Sequence, residues 1–406
     1  MLPETWPTTF DPGPPSRGGQ WVRFLLLFFA SVLVGIVAWS GQVFALPVAL
    51  LFPLLWALAR TRLQVALVSA GYFLAASRGL PVGVASFYGS DLWPGLLLWF
   101  VASAGFVLVH MIFWTPGTGW HRPARFILAS LIMAVPPFGI TGWAHPFTAA
   151  GILFPGWHWF GLLALMAALA GMTTRHWPVV AVVVACFWIW SASHSQEPQS
   201  PENWLGIDLE MGAELGRDLG LDRQQALIRR VRDRAKDEGG EVNILLPESA
   251  LGFWTPGLGN LWQRELAGSG VTVLAGAAEV LTDGYDNVLV AISEESQDVL
   301  YRQRMPVPGS MWQPWRHISG RGGGARAEFY RNPVVSIGEK RVAVLICYEQ
   351  LIIWPVLQSL VYDVDLVIAV GNGWWTRGTS IIDIQRSNVR AWGMLFDTPV
   401  VSSFNR

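Results

Sequence analysis

A thiol and two carboxylates sit where strand-like runs give way to loops. In Leu345-Ile346-Cys347-Tyr348-Glu349 an apolar run ends on Cys347, and Glu349 follows two residues later. In Leu245-Leu246-Pro247-Glu248-Ser249 a second apolar run ends just before Glu248. A strand end is a rigid platform for a reactive side chain. A carboxylate brought beside a thiol there can take its proton, and the thiolate then attacks a carbonyl carbon. Each motif alone has a plainer reading. An unpaired cysteine packs as a small hydrophobe, and a glutamate after proline is commonly a solvated loop residue. Together, at the ends of two buried strands, they point to a nucleophile and its base. Cys186, the other of the two cysteines, lies inside an apolar run and reads as packing, far from any disulfide partner.

The elements that must position these groups follow from periodicity. Strands are expected at 205–209, 242–246 and 271–275, with hairpins pairing 288–292 with 298–304 and 334–337 with 341–346. A helix opening at Asp222, with Gln225 completing a capping box, presents Leu227, Ile228, Val231 and Ala235 on one face and stops at Gly239. Helical spacing recurs at 260–267, 350–361 and 379–396, and 364–370 is a further apolar strand. Alternating helices and nearly all-apolar strands imply an α/β layered domain buried on both sheet faces.

The first 200 residues differ in kind. Hydrophobic residues make up 52% of the chain and charged ones 14%, yet residues 1–200 hold eight arginines and no lysine, leaving 20 of the 28 basic residues for the rest. That asymmetry implies a membrane half joined to a soluble half. Apolar runs at 24–39, 43–59, 63–77, 92–113, 126–140, 157–172 and 177–193 suggest about seven transmembrane helices. With a cytoplasmic N-terminus, Arg17, Arg23, Arg60, Arg62, Arg122, Arg125 and Arg175 fall inside and only Arg78 outside, which places the soluble half outside the cytoplasm. The expected organisation is an N-terminal segment at 1–22, a transmembrane helical domain at 23–193, a linker at 194–203 and an α/β domain at 204–406. The Pro-rich first twenty residues lack the layout of a cleavable signal peptide. A net charge of −1 and the absence of basic runs argue against nucleic-acid binding. The seven scattered histidines show no metal-ligand spacing, and no cofactor is expected.

LLPESA, VLYRQRMPVP and LICYEQL, in that order, resemble the three catalytic segments of the nitrilase (carbon–nitrogen hydrolase) superfamily. A multi-span membrane half before them looks like its apolipoprotein N-acyltransferase branch. Within that branch, the segments YRQRMPVP and MWQPW look closest to membrane proteins of plasmid conjugal transfer. The resemblance implies an α-β-β-α sandwich with a Glu–Lys–Cys triad, in which a phospholipid acyl chain passes through a cysteine thioester to a lipoprotein or peptide amine. Position by position, Glu248 matches the base, Cys347 the nucleophile and Glu349 the acidic residue that helps position the site. Asn372 and Trp374 match the loop that lines the pocket.

The family's lysine falls on Gln303, and the chain's two lysines, Lys236 and Lys340, are poor substitutes. Gln303 and backbone amides near Tyr348 are then expected to hold the oxyanion, with Arg304 or Arg302 reaching in only through a bulge. The family's further glutamate after the Val-Pro is replaced by Gly309-Ser310-Met311, and the chain ends at VVSSFNR where that branch continues. Trp312, Trp315, Trp374 and Trp375 are expected to flank the site, and the Gly-rich 319–326 segment reads as a loop or lid. Two functions stay open: Cys-dependent acyltransferase or amidase chemistry at the outer face of the bacterial inner membrane, or an inactive scaffold working with other conjugation proteins.

Overall fold

The computed structural model describes residues 17–214, 220–236, 241–320 and 322–406. The expected N-terminal segment up to residue 16 and the helix stop at Gly239 lie outside the described residues. The N-terminal half is a helical bundle of α1 (Arg17–Ala38), α2 (Leu51–Leu58), α3 (Arg62–Ala76), α4 (Leu80–Tyr88), α5 (Leu92–Phe113), α6 (His121–Ala134), α7 (Ala150–Leu153), α8 (His158–Met172) and α9 (Trp177–His194).

Among the described residues, three helical stretches are long and apolar enough to cross a membrane: Trp21–Ala38, Leu92–Phe113 and Trp177–His194. The pair α3 and α4, bent by 50° at its break, adds a fourth if it forms one span. This corrects the expected seven. Apolar runs measure composition, whereas spanning needs helix length. Residues 43–50 form a 3-10 segment containing Pro47 before α2, and α6 and α8 have only 14 and 15 residues. Fifteen residues rise roughly 22 Å, short of a core about 30 Å thick.

The C-terminal half is a two-sheet sandwich. One sheet runs β1 (Trp204–Gly206), β2 (Val242–Leu245), β3 (Val271–Leu281), β4 (Gly284–Ile292) and β5 (Gln297–Arg302), in that spatial order. The other runs β6 (Val335–Ile337), β7 (Lys340–Ile346), β8 (Leu366–Asn372) and β9 (Val400–Asn405). Helices α10 (Leu221–Lys236) and α11 (Pro256–Leu266) cover the first sheet. The short α12 (Pro314–Ile318) lies in the connection between the sheets, and α13 (Ile353–Leu360) and α14 (Ile381–Phe396) cover the second sheet.

Strand alternation builds these layers. Val342, Val344 and Ile346 of β7 point between the sheets, with Leu245, Leu274, Leu289, Leu366 and Ile368. Ala343 and Leu345 point the other way, into a cluster that also holds Trp392 of α14 and Trp39, Phe52, Trp56 and Phe147 of the bundle. The outer helical layer of the second sheet and the bundle therefore share one core. Polar contacts cross the same boundary: Ser387 Oγ donates to the Gly41 carbonyl at 2.5 Å, and Tyr348 OH donates to the Ile140 carbonyl at 2.6 Å. Arg78 donates to the Trp39 carbonyl at 3.2 Å and reaches Ser380 Oγ at 3.4 Å, at the end of the bundle that meets the α/β domain. Arg23 donates to the Leu58 carbonyl at 2.8 Å, at the opposite end of α1.

The hairpins at β4–β5 and β6–β7 form as the periodicity predicts. Several strand bounds differ. β1 ends at Gly206 and β5 at Arg302, short of the expected 209 and 304, β3 continues to Leu281, and VVSSFN becomes β9 by pairing in parallel with β8.

Candidate active site

β7 delivers Cys347 to the mouth of the sandwich, where the chain leaves the sheet in a short 3-10 turn. Cys347 has φ +50°, in the left-handed region that a residue with a Cβ enters at a cost of about 1–2 kcal/mol. Such strain persists where surrounding structure imposes it, and it is common at functional sites. β2 delivers Glu248 to the same mouth. Its approach depends on Gly276 of β3, because a Cβ there would lie 2.5 Å from the Glu248 Cα. Gly276 N–H donates to the Pro247 carbonyl at 3.2 Å and fixes the turn.

The two side chains meet. Both line one cavity, and the Glu248 charge acts on the Cys347 thiol. Glu248 Oε1 accepts from Asn287 Nδ2 at 2.7 Å, and Oε2 from the Asn372 backbone N–H at 2.9 Å. Asn372 Oδ1 in turn accepts from Asn405 Nδ2 at 2.8 Å, so β9 orients the loop after β8. Burial raises the Glu248 carboxyl above the usual carboxylate range, against the pull of the Asn287 and Asn372 bonds. Burial, and then the neighbouring Glu248 charge, raises the Cys347 thiol well above its ordinary value. Both shifts favour a protonated thiol at rest beside the Glu248 carboxyl group.

Glu349 is fully buried behind this pair. Its carboxylate accepts from Tyr301 OH at 2.8 and 2.9 Å, from the N–H groups of Arg304 and Met305 at 2.7 and 3.2 Å, and from Ile346 N–H at 2.8 Å. It ties the end of β7 to the segment after β5. Arg304, 0% exposed, is part of the same brace. Its guanidinium donates to Tyr301 OH at 2.9 Å and to Gln358, Pro355 and Ser359, with Glu349 Oε1 3.9 Å away.

Gln303 is placed differently from expectation. Its Nε2 donates to the Ile346 carbonyl at 2.9 Å and its Oε1 accepts from Asn287 at 2.9 Å. It is 2% exposed and does not line the cavity in front of Cys347. Nor does an arginine take the lysine's place. A bulge does interrupt the β4–β5 register, between Leu289 and Val290, but Arg302 pairs with Glu279 and Asp286 at 2.6 and 3.0 Å. β5 ends at Arg302, so alternation no longer governs Arg304, which turns inward towards Tyr301.

The cavity has a volume of about 300 Å³. Glu248, Tyr285, Cys347 and Asn372 form its floor, and 309–311 with Trp374 and Trp375 form one wall. The bundle supplies more of the lining: Leu80, Val84, Phe87 and Tyr88 of α4, and Leu98 of α5. Phe87 stacks on Trp374 with centroids 5.9 Å apart. Trp312 and Trp315, expected to flank the site, are not in its lining; Trp312 packs edge-on against Phe329, and Trp315 is exposed. The Gly-rich segment runs along the edge of β4, where Tyr285 N–H donates to the Gly324 carbonyl at 3.1 Å and Arg326 N–H to the Tyr285 carbonyl at 3.0 Å.

Several contributors had not been singled out in the sequence. Asn287 joins Glu248 to Gln303, Tyr285 lies two residues earlier on the same face of β4, and Gln385 of α14 donates to the Cys347 carbonyl at 2.8 Å. A lone Asn in the apolar run of β4 was the one available signal for a buried polar contact.

The carbon–nitrogen hydrolase family model matches residues 74–394. A probable conjugal transfer protein TraB from Sinorhizobium fredii is 59% identical over 94% of this chain and 97% of its own. A conjugal transfer protein TraB from Agrobacterium fabrum is 54% identical over 94% of this chain and 93% of its own. Among solved structures, an amidase from Nesterenkonia sp. is similar at 13% identity, covering 49% of this chain and 74% of its own, with a TM-score of 0.35.

Proposed function

The chain belongs to the carbon–nitrogen hydrolase family, and from that premise we propose that it is a membrane-anchored protein of plasmid conjugal transfer that forms a thioester on Cys347. The observation that carries the reading is the state of that cysteine: a strained φ of +50°, a Glu248 partner, and a place in a cavity of about 300 Å³. A packing cysteine requires none of these. The conjugal role rests on the two TraB relatives at 59% and 54% identity.

In the proposed reaction Cys347 Sγ attacks the carbonyl carbon of an acyl donor while its proton passes to Glu248. Backbone N–H groups of the turn at Tyr348 hold the oxyanion. The tetrahedral adduct collapses, the donor's leaving group takes the proton from Glu248, and a thioester remains. An amine then attacks the thioester, Glu248 accepts the amine proton, and the thiol leaves reprotonated. The apolar wall from α4 and α5 favours a membrane lipid as acyl donor and a lipoprotein or peptide amine as acceptor. Multi-pass insertion in the bacterial inner membrane, with the N-terminus cytoplasmic and the sandwich periplasmic, is supported by Arg23 at the end of α1 remote from the sandwich; Arg78, between α3 and α4, is the exception on the sandwich side.

One observation favours the second reading, an inactive scaffold within the conjugation apparatus. Among the described residues no lysine or arginine lines the cavity, and the lysine position holds a neutral Gln303 bonded to its neighbours. Intact mass of protein purified from membranes, with and without hydroxylamine, separates the two. A hydroxylamine-labile fatty-acyl adduct absent from Cys347→Ala supports the enzyme; an unmodified thiol that also resists lipid donors supports the scaffold.

A further inference from the structure

Resting on the reading of Cys347 as a nucleophile, we propose that Gln385 is its positioning residue, a neutral amide on α14 that fixes the Cys347 turn and donates to the sulfur as negative charge develops there.

The geometry is direct. Gln385 Nε2 donates to the Cys347 carbonyl at 2.8 Å and lies 3.9 Å from Cys347 Sγ, within reach of a hydrogen bond to sulfur. A side-chain amide carries two protons on one nitrogen, so it can serve both acceptors at once. The carbonyl bond holds the turn in its left-handed conformation, and the second proton points the amide dipole at the sulfur.

Among side chains around the sulfur, Gln385 alone lowers the thiol. Glu248, from the end of β2, accepts the thiol proton and opposes a second negative charge. Tyr285 lines the same cavity from β4, while Glu349 and Arg304 are bonded to each other's surroundings behind it. Asn372 N–H, from the end of β8, bonds Glu248 and is a backbone donor that also lowers the thiol, one that no side-chain substitution at 385 removes. Gln385 acts on the thiol in the direction opposite to Glu248. Its helix is also firmly placed. Ser387, two residues on, is bonded to the Gly41 carbonyl of the bundle, and Asn388 Nδ2 donates to the Gln350 carbonyl at 3.2 Å. The donor is thus held jointly by the sandwich and the membrane half.

The test uses the full-length protein in detergent with Cys186→Ser, so that Cys347 is the only thiol. Its labelling by iodoacetamide is followed by intact mass from about pH 6 to about pH 10, bracketing ordinary and raised thiol values. Gln385→Met keeps the length and removes the donor. It is expected to slow labelling about tenfold at neutral pH and to move the midpoint up by about one unit. Gln385→Glu keeps the shape, so it preserves the test should the methionine variant misfold, and its carboxylate is expected to move the midpoint further up. A loss of rigidity alone would give both folded variants the same shift. Variants that keep the parental midpoint, or shift it equally, overturn the inference while leaving a reactive Cys347. A parental thiol that fails to label at any pH overturns the reading beneath it as well.

Discussion

Gln303 Nε2 donates to the Ile346 carbonyl at 2.9 Å, tying the segment after β5 to the residue just before Cys347. Its other end accepts from Asn287, which also holds Glu248. Gln303, where the sequence resemblance implies a lysine, is therefore a brace between the two sheets, and it brings no charge to the sulfur.

Restoring that charge is the most direct perturbation of the site. A lysine at 303 could still donate to the Ile346 carbonyl while placing an ammonium beside Glu248 and the sulfur. An opposite charge at that range favours both ionised forms. Gln303→Lys should lower the pH midpoint of Cys347 labelling and raise the rate of thioester formation about tenfold or more. Unchanged kinetics in a folded variant would count against Glu248 and Cys347 working as a base and nucleophile in this geometry.

Glu248 makes a prediction about stability. Burial raises its carboxyl above the unfolded value, so the folded state binds the proton more tightly than the unfolded chain does. Its contribution is fully present below the ordinary glutamate range and is lost as pH rises through the folded value. Glu248→Gln has no such loss. The variant should abolish thioester formation yet melt above the parent at neutral pH, and the gap should close as pH falls towards about 4. Equal melting curves across that range would show that Glu248 is not strained by its burial.

Much of the site was legible because strand ends have punctuation. The runs at 242–246 and 341–346 are short, apolar and terminated, so Glu248 and Cys347 fell at the ends of two strands of one domain. Asn287 and Gln385 were not legible, since a polar residue on an apolar strand or helix face carries no record of its partner. The cavity wall of Leu80, Val84 and Phe87 was equally hidden: hydropathy marks these residues as apolar without saying that they share a cavity with Cys347 and Glu248. The span count failed for a related reason, because an apolar run interrupted by Pro47 or a bend is not a long helix.

The cavity wall at 309–311 depends on charges set back from it. Asp286, largely buried, accepts from Arg302 Nε at 3.0 Å and from Arg326 at 2.7 and 2.5 Å. Ala325 N–H donates to the Met311 carbonyl at 2.8 Å, so Arg326 holds the strand that holds the wall. Asp286→Asn keeps the shape and weakens both guanidinium bonds. It should increase protease cleavage within 306–326 and raise the substrate concentration needed for half-maximal acylation, leaving the labelling midpoint of Cys347 unmoved. A cleavage pattern identical to the parent's would show that backbone bonds alone hold the segment.

The last prediction concerns the seam between bundle and sandwich. A Cβ on Gly151 of α7 would overlap the carbonyl oxygen of Ala391 in α14. That oxygen is backbone in a packed helix, so it cannot swing aside as a flexible side chain would. Overpacking commonly costs about 1–3 kcal/mol, and a clash with backbone belongs at the upper end. Gly119→Ala is the control, because a Cβ there meets nothing within 4 Å. Gly151→Ala should lower the melting temperature by several degrees at the least, and Gly119→Ala should leave it unchanged. Because α14 also carries Gln385, the Gly151 variant should slow Cys347 labelling in the protein that remains folded. A lowered melting temperature with normal labelling would mean that the seam stabilises the protein without setting the geometry of its cysteine.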